Sequence, residues 1–195
     1  MTGTFRFNEE DHSYWIGEQR IPSVTGILQD AGLLNYHGSS DYHMDRGTYV
    51  HRATTMIDKG TLDWDGLDDT LRPYCEAYQR SIDDVKREII LSEKPMYHPN
   101  YYYAGTPDRV MKRNGLTTLI DIKSGSPHPA TALQIAAYAE LIRATYVEGI
   151  YISKAFVLYL RDDGTYRLDE VKDLKRNLQI FLAALTVVRW REENL

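Results

Sequence analysis

The sequence predicts an α/β domain: a mixed central β-sheet flanked by helices, preceded by a mainly helical part. Three observations carry this. Helix signals dominate residues 1–88, whereas residues 89–195 are rich in β-branched and aromatic runs. Asn114-Gly115 falls between two such runs and marks a two-residue hairpin turn, where both central residues need positive φ. An alanine-rich helical stretch, residues 130–146, interrupts the strand-like segments.

Residues 4–7 and 14–16 flank a polar turn and predict a small hairpin. Ser23 is placed to cap a short helix ending near Gly32. A second helix is expected over 41–59, with Gly60 as its stop, and a third over 67–87. Strands follow at 89–97, 101–113 and 116–123, then the helix over 130–146 and a strand over 151–161. A strand over 166–171 and a helix over 173–192 close the chain. With no repeat, low-complexity tract or linker, the 195 residues read as one domain.

Hydrophobic residues make up 43% and charged residues 26%, the balance of a soluble globular protein. No apolar run approaches the roughly 18 residues that span a bilayer, so no membrane association is expected. The N-terminus lacks a secretory pattern. The single cysteine, Cys75, forms no internal disulfide and excludes a four-cysteine zinc or iron–sulfur site. A cytoplasmic setting is the expectation. The net charge of −5 argues against non-specific coating of duplex DNA, which needs many cationic contacts to phosphate. Contact with nucleic acid would need a local basic patch, bound cations, a homo-oligomer or a DNA-binding partner protein.

The most informative segment is residues 105–125. With Asn114 and Gly115 as the loop, Arg113 faces Leu116, and counting outward puts Val110 opposite Leu119, Asp108 opposite Asp121, and Thr106 opposite Lys123. Period-two alternation places Asp108, Val110, Leu119, Asp121 and Lys123 on one face, with Ile122 pointing the other way. Opposed side chains have Cβ atoms about 4.5–5.5 Å apart, where like charges destabilise the pair. A divalent cation, Mg²⁺ or Mn²⁺, would relieve two opposed carboxylates. Either Asp taken singly would read as a solvated strand residue; it is the register with Lys123 that raises the metal reading above that.

The pattern Pro107-Asp108 followed by Asp121-Ile122-Lys123 resembles the PD-(D/E)XK nuclease superfamily. Gly105, Asp108, Arg109 and Val110, then Leu119 to Gly125, then Gln134 and Tyr138-Ala139, with Gly47 and His51 upstream, are similar to the RecB-like exonuclease branch, including phage-type members. The resemblance implies a restriction-endonuclease-like core and a Mg²⁺- or Mn²⁺-dependent DNA nuclease. It implies that Asp108, Asp121, the backbone carbonyl of Ile122 and His51 hold the metal, with Glu93 as an additional acidic candidate. Lys123 would orient water or stabilise developing negative charge, and Gln134 and Tyr138 would face the site from their helix. Gln134 and Tyr138, four apart, share a helix face; the competing account is a polar helix edge and a core tyrosine. His51 also reads as an ordinary surface or core histidine. Tyr97, His98 and Tyr101 to Tyr103 offer either base stacking or packing.

The motif leaves open exonuclease against structure-selective or site-specific endonuclease, and enzyme against a catalytically silent DNA-binding module of the same fold. A silent module has no use for opposed carboxylates.

Overall fold

A computed structural model describes residues 3–34, 41–84, 88–113, 115–146 and 150–195. Its first element is a three-stranded antiparallel meander, β1 (Phe5–Asn8), β2 (Ser13–Ile16) and β3 (Gln19–Ile21). The sequence reading has only the first two strands. The third follows a two-residue turn, with Ile16 paired to Gln19. Ser23 caps α1 (Val24–Asp30), its Oγ accepting from the Gly26 N–H at 2.9 Å. Val24, Ile27 and Leu28 on this helix are fully buried.

Helix α2 (Asp41–Asp58) precedes α3 (Arg72–Asp83). The latter is shorter than the expected 67–87. Pro73 sits in its first turn, a position that tolerates the missing N–H. Ahead of it the chain is held in a turn by Asp68 Oδ1, which accepts from the Thr70 N–H at 2.7 Å. The expected 85–87 portion lies outside the described residues.

Two expected strands are each broken. Residues 89–97 form β4 (Glu88–Ser92) and a separate β5 (Met96–Tyr97). The break comes at Glu93, which takes a left-handed φ of 46°, followed two residues on by Pro95. Residues 101–113 form β6 (Ala104–Gly105) and β7 (Arg109–Arg113), interrupted at Thr106-Pro107-Asp108. Pro107 has no N–H to give a ladder. The rest follows as β8 (Leu116–Lys123), α4 (Ala130–Thr145), β9 (Lys154–Leu160), β10 (Tyr166–Glu170) and α5 (Leu174–Asn194).

The central sheet has the order β10-β9-β8-β7-β4. Strands β8 and β9 are parallel, joined through α4, and the other pairs are antiparallel. This is the mixed sheet flanked by helices that the sequence predicts. The hairpin register holds from Arg113↔Leu116 through Val110↔Leu119 to Arg109↔Ile120. Gly115 takes a φ of 77°, while Asn114 lies outside the described residues. One sheet face, with Val110, Leu119, Ala155 and Val157, packs on α1, α4 and α5. The other, with Met111, Ile120, Ile122, Leu158 and Leu160, packs on α2 and α3. Val110 and Leu119 are fully buried, so the carboxylate-bearing face of the hairpin is core rather than partly covered surface.

Candidate active site

Beyond Arg109 the hairpin ladder ends, and Asp108 reaches across by its side chain instead of by strand pairing. Its Oδ2 accepts from the Ile122 N–H at 2.6 Å, and its carbonyl accepts from the Glu93 N–H at 2.9 Å. The expected pairing of Thr106 with Lys123 is not made. Thr106 Oγ1 instead shares a hydrogen bond of 2.9 Å with the hydroxyl of Tyr14.

Three donors converge from separate elements. His51 Nδ1 lies 3.3 Å from Glu93 Oε1 and 3.5 Å from Asp108 Oδ1, and ligand atoms of the three residues all fall within 4.8 Å of one another. The left-handed backbone at Glu93, costly for a residue with a side chain, accompanies this placement. Asp121 stands beside this group rather than inside it. It is 1% exposed, and its Oδ1 has no hydrogen-bond donor among the described residues. Its neighbour is Lys123, whose Nζ lies 2.8 Å from Oδ2 in an ion pair. Ile122 enters the site through its backbone, its side chain being buried on the opposite face.

The electrostatics follow from burial and crowding. Burial raises the Asp121 pKa to about 6, with Lys123 opposing and Asp108 adding to the rise. Burial also raises Asp108, against the pull of His51. For His51 burial works against the charged form, but Asp108 and Glu93 outweigh it and lift the imidazole to about 9.

From α4, Gln134 Nε2 donates to the Tyr138 hydroxyl at 3.2 Å. Burial, with Tyr14 and Asp121 nearby, raises the Tyr138 phenol well above its ordinary pKa. Tyr138 also presses on Gly105: a Cβ there would stand 2.6 Å from Tyr138 Cε1. Gly105→Ala is therefore expected to displace the Tyr138 ring and destabilise the fold by roughly 1–3 kcal/mol. Chemical denaturation measures this, and an unchanged midpoint would contradict it.

A buried arginine that the sequence reading did not single out organises this region. Arg109 is fully buried. Its Nε donates to Asp58. Its Nη1 donates to Glu93 Oε1 at 3.1 Å and to the Asp108 carbonyl at 2.7 Å, and its Nη2 donates to Thr55 Oγ1 at 3.0 Å. One guanidinium thus ties α2 to the hairpin and steadies Glu93. The signal for it was present: Asp58 lies seven residues after His51, on the same helix face. Within the aromatic cluster Tyr97, His98 and Tyr103 pack into the fold, while Tyr101 is exposed. Tyr103 is buried, donates to the Ala137 carbonyl at 2.9 Å and meets Phe181 edge-on. His98 is buried and accepts the Asn100 and Tyr101 N–H groups. Tyr97 stacks on Phe5.

The model of the PD-(D/E)XK nuclease superfamily matches residues 65–191, more than half of the sequence, and the chain belongs to that superfamily. No curated protein matches it. Among solved structures, an alkaline exonuclease of Laribacter hongkongensis is similar at 14% identity, over 86% of this chain and 90% of that one, with a TM-score of 0.41. The complex of that exonuclease with dAMP is similar at 16% identity, over 89% and 92% of the two chains, with a TM-score of 0.40. Among the described residues no helix is long and apolar enough to cross a membrane.

Proposed function

We propose that this chain is a divalent-metal-dependent deoxyribonuclease, an exonuclease that hydrolyses phosphodiester bonds from DNA ends. The observation that carries the reading is Asp121: a buried carboxylate whose Oδ1 has no donor among the described residues, beside Asp108 and ion-paired through Oδ2 to Lys123. An unfilled oxygen on a buried carboxylate is costly, and a metal cation would offset that cost. The donor set fits Mg²⁺ or Mn²⁺, with hard oxygens from Asp108 and Glu93 and an imidazole from His51 close together, and Asp121 beside them as a further carboxylate. The Ile122 carbonyl, by the superfamily resemblance, adds a further oxygen. The preference for DNA ends rests on the RecB-like order of His51, Asp108, Asp121, Lys123, Gln134 and Tyr138.

A bound divalent cation supplies charge neutralisation at the scissile phosphate and lowers the pKa of water. Lys123 brings an ammonium to the carboxylates and stabilises negative charge that accumulates as the bond breaks. His51, held protonated by Glu93 and Asp108, would have to give up its proton to serve as a metal ligand. The Ile122 N–H fixes the Asp108 carboxylate, and Gln134 and Tyr138 close the site from α4.

The test is cleavage of 5′-labelled linear and covalently closed circular DNA with Mg²⁺ or Mn²⁺. Loss of the linear substrate alone is expected, with Lys123→Ala at least about a hundredfold slower. Cutting of the circle would make the protein an endonuclease. Full activity in Lys123→Ala would remove the assignment of this site, and failure to bind metal would favour a silent DNA-binding module.

A further inference from the structure

Helix α5 carries a second apolar face that no described part of the chain covers. Its inner face, with Phe181, Ala184, Leu185 and Val188, is buried in the core. On the outer side Arg176, Ile180, Ala183, Val187, Trp190 and Asn194 are exposed. They recur at alternating steps of four and three, the spacing of a helix–helix seam. Trp190 is 57% exposed and Val187 45%. Docking on its own domain needs one apolar stripe, not two.

Several charges at the ends of α5 run against its dipole: Lys175 and Arg176 in the first turn, where cations are unfavourable, and Glu192 and Glu193 in the last, where anions are, with Asp173 at the N-cap and Arg191 in the last turn acting the other way. Among the described residues none of these four has an ion-pair partner. The arginines at the C-terminal end are engaged elsewhere. Arg189 donates to the carbonyls of Tyr101 and Tyr102, and Arg191 to that of Asp30.

We propose that α5 pairs antiparallel with α5 of a second copy of this chain, about a twofold axis near Ala183. The antiparallel arrangement is the one the charges favour. It sets Lys175 beside the partner's Glu193, which flanks the same edge of the stripe, and the symmetry makes the same contact twice. Ile180 packs toward the partner's Val187, and Ala183 lets the two backbones approach at the centre. The 21-residue helix, about 30 Å long, provides the length of the seam. Pairing through α5 is independent of the nuclease reading.

Sedimentation equilibrium of the full chain tests this. The wild type is expected to dimerise. Lys175→Glu sets like charges across the seam and should weaken the dimer at least about tenfold. The same change places an acidic residue at the helix start, so the dilute monomer should melt no lower than wild type. Adding Glu193→Lys restores opposite charges and should restore the dimer, which a merely damaged fold would not do. Val187→Glu should also give a monomer. A wild type that stays monomeric at its highest soluble concentration overturns the proposal. A dimer that survives both the charge reversal and Val187→Glu overturns it equally.

Discussion

Asparagine at position 121 is expected to make the metal-free protein more stable while removing its metal-dependent cleavage. Asp121 is buried with its Oδ1 lacking a donor among the described residues, and its pKa is raised to about 6 from 3.8. A raised carboxyl pKa means that the native state holds a proton which the unfolded chain has released. Stability from this group is therefore present at low pH and falls as pH rises from about 4 to about 6. The loss is on the order of 3 kcal/mol, and Asp121→Asn should recover part of it. His51 adds a second decline. Its pKa of about 9 means that stability present below about 6.5 is lost as pH rises through 9. Thermal melts of the metal-free protein across this range should show both declines in the wild type, and a smaller lower one in Asp121→Asn, where Asp108, also raised by burial, remains. Cleavage by the variant should drop at least about a hundredfold. A variant that is less stable than wild type at neutral pH, or one that still cuts, would contradict this account of Asp121.

The second large effect is expected at Arg109. Arg109→Met removes the cation that holds Asp58, itself buried, and leaves Glu93 untethered. Breaking a buried pair from one side leaves an uncompensated charge and costs roughly 3–5 kcal/mol. Urea denaturation should show a loss of that size. The double variant Arg109→Met with Asp58→Leu should be more stable than Arg109→Met alone, because the stranded carboxylate is gone. If the two losses simply add, the guanidinium is not acting through Asp58.

These outcomes bear on what the sequence discloses. Asn114-Gly115 fixed a register, and alternation then placed Asp121 and Lys123 on one face and Ile122 on the other, because strand geometry is local and periodic. The helix between the strands and the Ser23 cap are local signals of the same kind. What stayed hidden depends on contacts between distant segments. The break of the expected strand at Glu93 reflects a backbone angle that no residue type announces. The burial of Arg109 was not legible beyond the shared helix face of His51 and Asp58, since its partners, Asp58, Thr54 and Thr55, lie more than fifty residues upstream. The Tyr138 contact with Gly105 likewise needs the docked α4 to be visible. The roles proposed for His51, Asp108, Asp121 and Lys123 await the cleavage and metal-binding experiments.

The groups of the site are drawn from α2, the turn after β4, both arms of the β7–β8 hairpin and α4. A nascent chain therefore cannot assemble them until residue 138 has emerged and α2 has docked on the sheet. Catalytic competence is then a late and global report of folding: a fluctuation that lifts α2 away would silence the site while the strands stay paired. If the proposed nuclease reading holds, such a domain would pass through synthesis inert, and a partly opened copy would leave the DNA around it uncut.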